Sequence, residues 1–289
     1  MTSAPAAAGT VSGAVLLCAG GAFALRGDDS DCYPTARRLS TRGYHCFVVD
    51  YRVHPYTQAE SGVDLAHGLT VRAQSRNAAR ARAALPAGTQ VVEASPTDAA
   101  ALADIVDGVD VVILTHGGDA DLEHNYYAVI PALLEALTNR QEVHIGLMTS
   151  MYVSTPNRER PQGDWKRRAE RLVRACGHPY TIVRPGWFDY QGPEDTQIDL
   201  KQGGRIGGQP GVDRHHIAQV LIEGALNPSG EHRTVEVFSQ PGEPVTDFEA
   251  LFATTRPDVE TGRGILDRVL VPLEDEPARL RADIARFGS

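Results

Sequence analysis

Two hydroxyls and an ammonium are the first residues of this sequence that point to proton chemistry. Thr149 and Ser150 close an apolar run at residues 142–148, and Lys166 follows in a segment with helical spacing. A hydroxyl in such a place can hydrogen-bond a substrate carbonyl, and an ammonium beside it lowers a neighbouring pKa. Tyr152 is the nearest phenol along the chain. The competing reading of Lys166 is a solvated helix face, because Arg167, Arg168, Glu170 and Arg171 surround it.

Three turns could hold a ligand by their backbone. Ala19, Gly20, Gly21 and Ala22 follow an apolar run at residues 14–18. Glycines there let N–H groups approach a pyrophosphate at a helix N-terminus. A full G-x-G-x-x-G is absent, so a simple tight turn and a vestigial oxyanion loop are the other readings. Thr115, His116, Gly117 and Gly118 end the run at 109–114, where small residues permit close backbone approach. The alternative is an ordinary strand-to-loop turn, with His116 either a proton donor or a polar lid. Arg184, Pro185, Gly186, Trp187 and Phe188 follow another strand-like run. Proline fixes the exit of the chain and glycine admits a ligand. Trp187, Phe188 and Tyr190 then form either an apolar wall of a pocket or a small aromatic core cluster.

Arg72 and Arg76 flank the end of a strand-like segment at 69–73. An acidic residue there pairs with the ribose of NAD, whereas an arginine accepts the 2′-phosphate of NADP. The bland reading is surface arginines beside Arg80 and Arg82. His215 and His216 are adjacent and so do not share a helix face, which leaves capping or packing as their role. No H-x-x-x-H or H-E-x-x-H pair occurs, so no zinc site is expected.

The elements that must position these residues alternate. Strands are expected at 14–18, 44–52, 69–73, 90–93, 109–114, 142–148, 180–183 and 234–238. Helices are expected at 31–42, 58–66, 77–85, 98–106, 121–140, 164–176, 217–226, 248–255 and 277–287. Alternation of this kind implies crossover units and a parallel sheet, with functional residues just past the carboxyl ends of the strands.

The chain has 289 residues, 42% of them hydrophobic, enough for one large α/β domain. Its formal net charge of −9 gives no electrostatic footprint for nucleic acid or an anionic membrane. No apolar run reaches the length of a membrane span, and residues 1–10 lack the pattern of a signal peptide. The four cysteines form no C-x-x-C pair, which fits reduced thiols and a cytoplasmic location.

From about residue 68 onward the chain resembles the atypical, extended and NmrA-like branch of the short-chain dehydrogenase/reductases, which bind NAD(P). LTVRAQSRNAARARAAL is similar to the second strand and its helix. ASPTDAAALADIVDGVDVVILTHGG is similar to the third strand's end through the fourth strand. IGLMTS resembles the fifth strand, and DWKRRAERLVRACGHPYTIVRPGWF the lysine helix and the sixth strand. RHHIAQVLIEGAL resembles a late helix of the family.

The resemblance implies a Rossmann-like doubly wound parallel sheet with a small C-terminal substrate lobe. It divides the chain into a tail at 1–12, a dinucleotide-binding domain at 13–190 and the lobe at 191–289, packed on that domain. It implies NADP(H) rather than NAD(H), with Ser75 and Arg76 at the position of the NADP-preferring pair. Thr115, His116 and Gly117 would lie under the cofactor, Lys166 would bind the nicotinamide ribose, and Pro185, Gly186 and Phe188 would lie by the nicotinamide and the substrate. A small-molecule substrate and a homodimer are further implications.

Two departures stand out. The reductase motif Tyr-x-x-x-Lys has Gln162 in place of its tyrosine, and Met151 can occupy the family's serine position, which leaves Thr149 and Ser150 as supporting groups. Residues 13–66 form an atypical N-terminal unit. CAGGAFALRG and HCFVVDYRVHP resemble the oxyanion-loop region of an α/β-hydrolase instead of a glycine-rich fingerprint.

The sequence thus offers an NAD(P)-dependent oxidoreductase acting on a small carbonyl or related substrate. A non-catalytic NAD(P)H-binding regulator, which the missing tyrosine favours, is the alternative. An esterase ranks last because no G-x-S-x-G occurs. A folded scaffold without cofactor is the remaining possibility.

Overall fold

The structure is a computed structural model that describes residues 13–18, 44–49, 72–84, 90–117, 121–140, 142–154, 161–204 and 211–289, the first two segments as backbone. Ala19, Gly20, Gly21, Gly118 and the helices expected at 31–42 and 58–66 lie outside the described residues.

A seven-stranded sheet carries the fold. Its strands are β1 (Gly13–Cys18), β2 (Tyr44–Val49), β5 (Val111–Leu114), β6 (His144–Met148), β7 (Tyr180–Pro185), β9 (Gln197–Lys201) and β11 (Arg233–Gln240). They lie in the order β2-β1-β5-β6-β7-β11-β9, all parallel except β9, which runs antiparallel to β11. Two short strands pair separately as β3 (Arg72–Ser75) with β4 (Gln90–Glu93), and two more as β8 (Trp187–Phe188) with β10 (Gly211–Val212).

The resemblance placed 69–73 second in the main sheet. The structure gives the position beside β1 to β2 instead. A strand has two hydrogen-bonding edges, and those of β1 are taken by β2 and β5, so β3 pairs only with β4. The segment expected as a C-terminal lobe contributes β9 and β11 to the main sheet.

The helices are α1 (Ala78–Ala84), α2 (Ala99–Ile105), α3 (Leu122–Tyr126), α4 (Val129–Leu137), α5 (Pro161–Ala175), α6 (Arg214–Leu226), α7 (Phe248–Ala253) and α8 (Ala278–Phe287). Side chains of the sheet alternate between two cores, as the period of a strand dictates. Val112, Leu114, Ile145, Leu147 and Ile182 pack with Leu102, Leu133, Leu172 and Leu280 from α2, α4, α5 and α8. Val111, Ile113, Met148, Val183 and Val235 pack with Ile217, Leu221 and Phe252 from α6 and α7. A sheet covered on both faces needs strands apolar on both faces, and β5 and β6 are buried throughout.

One expected helix is two. The segment 121–140 breaks at Tyr127 and Ala128, because Pro131 has no N–H to donate to residue 127 and its ring crowds that carbonyl. The Ile130 N–H bonds the Tyr127 carbonyl at 2.9 Å, so the Tyr126 carbonyl, its partner in an unbroken helix, is released. Among the described residues no helix is long and apolar enough to cross a membrane.

Candidate functional site

In the sheet β2 flanks β1 on one side and β5 on the other, so the strand order reverses between β1 and β5. Cys18 lies opposite Leu114 in that pair. Ligands of such sheets bind outside the carboxyl ends of the strands at this switch point. The turns 115–117, 149–152 and 185–186 leave β5, β6 and β7 at that end of the sheet. The last two remain tied past their strands: the Thr149 N–H bonds the Val183 carbonyl at 2.8 Å, and the Met151 N–H bonds that of Pro185 at 3.0 Å.

Helix α5 fixes the 149–150 turn at two points. Lys166 and Glu170 are one helical turn apart on the same face. Lys166 Nζ donates to Ser150 Oγ at 2.9 Å and lies 4.8 Å from the centroid of the Tyr126 ring. Thr149 Oγ1 donates to Glu170 Oε1 at 2.7 Å. That bond commits the Thr149 hydrogen to a buried carboxylate, which corrects its expected role as a catalytic hydroxyl and makes it a group that holds the turn. The Ser150 hydroxyl is half-buried and keeps the site role.

Glu170 also joins this turn to the next. It accepts from Arg184 Nε at 2.9 Å and Arg184 Nη2 at 2.6 Å, and from Arg174 Nη2 at 2.9 Å. Arg184 precedes Pro185 and Gly186 and is fully buried. Its remaining donors reach Glu236 Oε1 at 3.0 Å and Asp267 at 2.9 and 2.8 Å, so all five N–H groups of the guanidinium are bonded. Burial pushes the Glu170 carboxyl up, but Arg184 above all, with Arg174 and the Thr149 hydroxyl, outweighs it and holds the group at about 2. Burial likewise pushes Glu236 up, against the pull of Arg184.

The solvated-face reading of α5 is corrected by the same chemistry. Arg167, Glu170, Arg171 and Arg174 are buried. Arg167, Arg168 and Arg171 converge on Glu276, and Arg174 pairs with Asp258 at 3.3 Å. These carboxylates come from the last part of the chain, where no sequence spacing announces them.

At the end of β5, Thr115 and His116 are buried. His116 Nε2 lies 3.2 Å from the Tyr126 carbonyl, the acceptor released by the helix break. A carbonyl only accepts, so this nitrogen carries the proton. Burial, with a smaller contribution from Lys166, outweighs the Tyr126 bond and holds the imidazole at about 4. Burial thus favours the neutral imidazole, and its Nε2 hydrogen is committed to the Tyr126 carbonyl. Its Nδ1 is buried with no hydrogen-bond partner among the described residues. A Cβ at Gly117 would stand 2.7 Å from Tyr126 Cε1, so glycine is required for the ring to seat there. Tyr126 thus meets His116 by its carbonyl, Gly117 by its ring edge and Lys166 by its ring face, and sequence reasoning missed it. Its signal was Pro131, which breaks the helix and frees its carbonyl.

The other expected residues separate. Arg72 opens β3, roughly 10 Å from its carboxyl end at about 3.3 Å per residue. Its guanidinium bonds the carbonyls of Ile105 and Asp107 and the Gln90 side chain, which corrects its expected place at a phosphate. Ser75 is buried, and its hydroxyl accepts the Asn77 N–H at 3.0 Å. Arg76 follows it on the surface. Tyr152 is exposed, with a left-handed backbone at φ 69°. Pro185 and Gly186 are buried, the latter donating to the Val237 carbonyl. Phe188 packs against the second core, whereas Trp187 and Tyr190 are exposed, so the three do not form one wall. His216 Nδ1 meets Ser239 Oγ at 2.7 Å and His215 pairs with Asp213. Among the described residues no cluster of His, Cys, Asp and Glu is arranged to hold a metal.

The residues present fit a dinucleotide on its nicotinamide side: a buried acceptor without a donor, an ammonium and a hydroxyl stand around the carboxyl ends of β5 and β6. A family model described as NAD(P)H-binding matches residues 64–228, more than half of the chain. No curated protein matches the sequence. Among solved structures, the chain is similar to an oxidoreductase from Lactococcus lactis, with 12% identity, 83% of this chain and 95% of that chain covered, and a TM-score of 0.57. It is also similar to an anaerobilin reductase from Escherichia coli O157:H7, with 18% identity, 80% and 100% covered, and a TM-score of 0.53. A third is a short-chain dehydrogenase/reductase from Veillonella parvula in complex with NADP, with 16% identity, 82% and 97% covered, and a TM-score of 0.50. At these identities the likeness shows a shared Rossmann-type fold.

Proposed function

The chain belongs to the NAD(P)H-binding family, and from that premise we propose that it is a cytoplasmic, NADPH-preferring oxidoreductase that reduces a small carbonyl or related substrate. The observation that carries this reading is the Lys166–Ser150 pair, 2.9 Å apart at the end of β6, with His116 and Gly117 at the end of neighbouring β5. The nicotinamide, when bound, supplies the hydride. Ser150 receives its hydrogen bond from Lys166, which leaves its own O–H free to give a proton to the substrate oxygen. The ammonium of Lys166 lowers the pKa of the serine hydroxyl and stabilises the oxygen it leaves, which then takes a proton back from solvent. Glu170 keeps both turns in place through Thr149 and Arg184. Arg76, exposed just past β3, is the residue offered to a 2′-phosphate, and a homodimer is the expected assembly.

The second reading, a regulator that binds NADPH without turnover, is favoured by Gln162 at the tyrosine position. One experiment separates them. The protein is titrated with NADPH and NADH, followed by reduced-nicotinamide fluorescence, and then offered a panel of carbonyls and quinones. Tighter NADPH binding with oxidation is expected. Binding without oxidation by any acceptor supports the regulator, and binding of neither nucleotide overturns both readings. Hydrolysis of a p-nitrophenyl ester would revive the esterase.

A further inference from the structure

We infer that His116 is a cofactor-binding residue whose Nδ1 accepts a hydrogen bond from a hydroxyl of the nicotinamide-side ribose, beside the Lys166 ammonium. This rests on the NADPH reading above and adds to it a residue and an atom.

The argument begins at Pro131, which breaks the helix after Tyr126 and releases that residue's carbonyl. The released carbonyl takes the Nε2 hydrogen of His116 and so fixes the tautomer. The neutral ring is left with a lone pair on Nδ1 that meets no donor among the described residues, in a side chain that is 6% exposed. A buried acceptor without a donor is destabilising and rare in folded proteins, and one at a binding site is explained by a ligand that brings the donor. The atom stands at the carboxyl end of the strand that flanks the switch point.

Lys166 is the second half of the argument. Its ammonium lies over the ring of the residue whose carbonyl holds His116, and it is close enough to depress the imidazole. An ammonium only donates and this Nδ1 only accepts. A vicinal diol offers both complements, one hydroxyl giving its hydrogen to Nδ1 and the other accepting from Nζ. The ribose next to the nicotinamide is such a diol.

The test uses two ligands and two variants of the full chain, with affinities from calorimetry. NADPH carries the ribose in question, and adenosine 2′,5′-bisphosphate does not. His116→Gln keeps a donor for the Tyr126 carbonyl and loses the Nδ1 acceptor, whereas His116→Asn keeps an acceptor near the Nδ1 position. The Gln variant is expected to bind NADPH about five- to tenfold more weakly, as for one hydrogen bond, and the bisphosphate unchanged. The Asn variant is expected to recover part of the loss. In the wild type the ¹⁵N resonance of Nδ1 is expected at the unbonded position, shifted by NADPH and not by the bisphosphate, a readout that needs no variant to fold. Equal NADPH binding by the Gln variant, equal loss for both ligands, or an unmoved ¹⁵N resonance in bound protein overturns the role of His116 alone. A wild type that binds neither ligand overturns the NADPH reading, and this inference with it.

Discussion

Replacing Arg184 with Met should cost this protein much of its stability, and the cost should depend on pH in one direction. The guanidinium is fully buried and bonds Glu170, Glu236 and Asp267. A methionine fills most of its volume but removes the cation that three buried carboxylates share, leaving Glu170 with Arg174 and Thr149 and the other two without an ion partner among the described residues. Removing one partner from a buried ionic cluster costs about 3–5 kcal/mol, set against a typical total of roughly 5–15 kcal/mol. In the variant, burial and mutual repulsion raise the folded pKa of these carboxyls above the unfolded value. Such groups oppose folding at high pH, and the opposition is relieved as pH falls through the raised pKa. A tenfold change in proton affinity corresponds to about 1.4 kcal/mol, so the difference between variant and wild type should shrink by about 1–2 kcal/mol from pH 8 to pH 5. Urea unfolding followed by circular dichroism, with both proteins measured at each pH, gives the two differences. A cost below about 1 kcal/mol, or one equal at both pH values, would refute the account of this cluster as charges balanced by one arginine.

Three further outcomes are expected. Burial holds His116 at about 4 and His144, also pressed by His232, at about 3, so the unfolded chain binds more protons below pH 6.5; stability should be full above that pH and fall toward pH 4, and a urea midpoint unchanged between pH 7 and 5 counts against this. Gly117→Ala should displace the Tyr126 ring from beneath Lys166, losing about 1–2 kcal/mol of stability and several-fold in NADPH affinity, and a variant matching the wild type in both would show the contact to be slack. Arg76→Glu should reverse the preference between NADPH and NADH in the fluorescence titration, and an unchanged ratio would remove Arg76 from the 2′-phosphate.

Much of this architecture could be read along the chain because its signals are local. The runs at 109–114 and 142–148 became β5 and β6 within two residues at one end, since strands buried on both faces are written as continuous apolar runs. The helix expected at 98–106 became α2, which Asp98 caps by accepting the N–H groups of Ala100 and Ala101. What stayed hidden depends on distance along the chain. The arginines of α5 looked solvated because Glu276 lies about a hundred residues downstream of them. Helix periodicity across 121–140 masked the break at Pro131, and with it Tyr126 and the bare nitrogen of His116. The strands β8 and β10 hold two residues each, too few for any period to show. Lys166 and Ser150 were legible by type and position, whereas the commitment of Thr149 to Glu170 required coordinates.

Besides Glu170 and Glu236, three of the carboxylates that neutralise α5 and Arg184 come from far along the chain. Asp258, Asp267 and Glu276 all belong to the last 32 residues. Without that stretch Arg174 and Arg184 keep Glu170, and Arg184 keeps Glu236, but Arg167, Arg168 and Arg171 lose their shared Glu276. The turns that carry Ser150 and Gly186 are braced by Lys166, Glu170 and the Val237 carbonyl, all before residue 255, and Asp267 adds to that bracing through Arg184. A chain truncated after residue 255 would hold every proposed site residue while lacking these counter-charges.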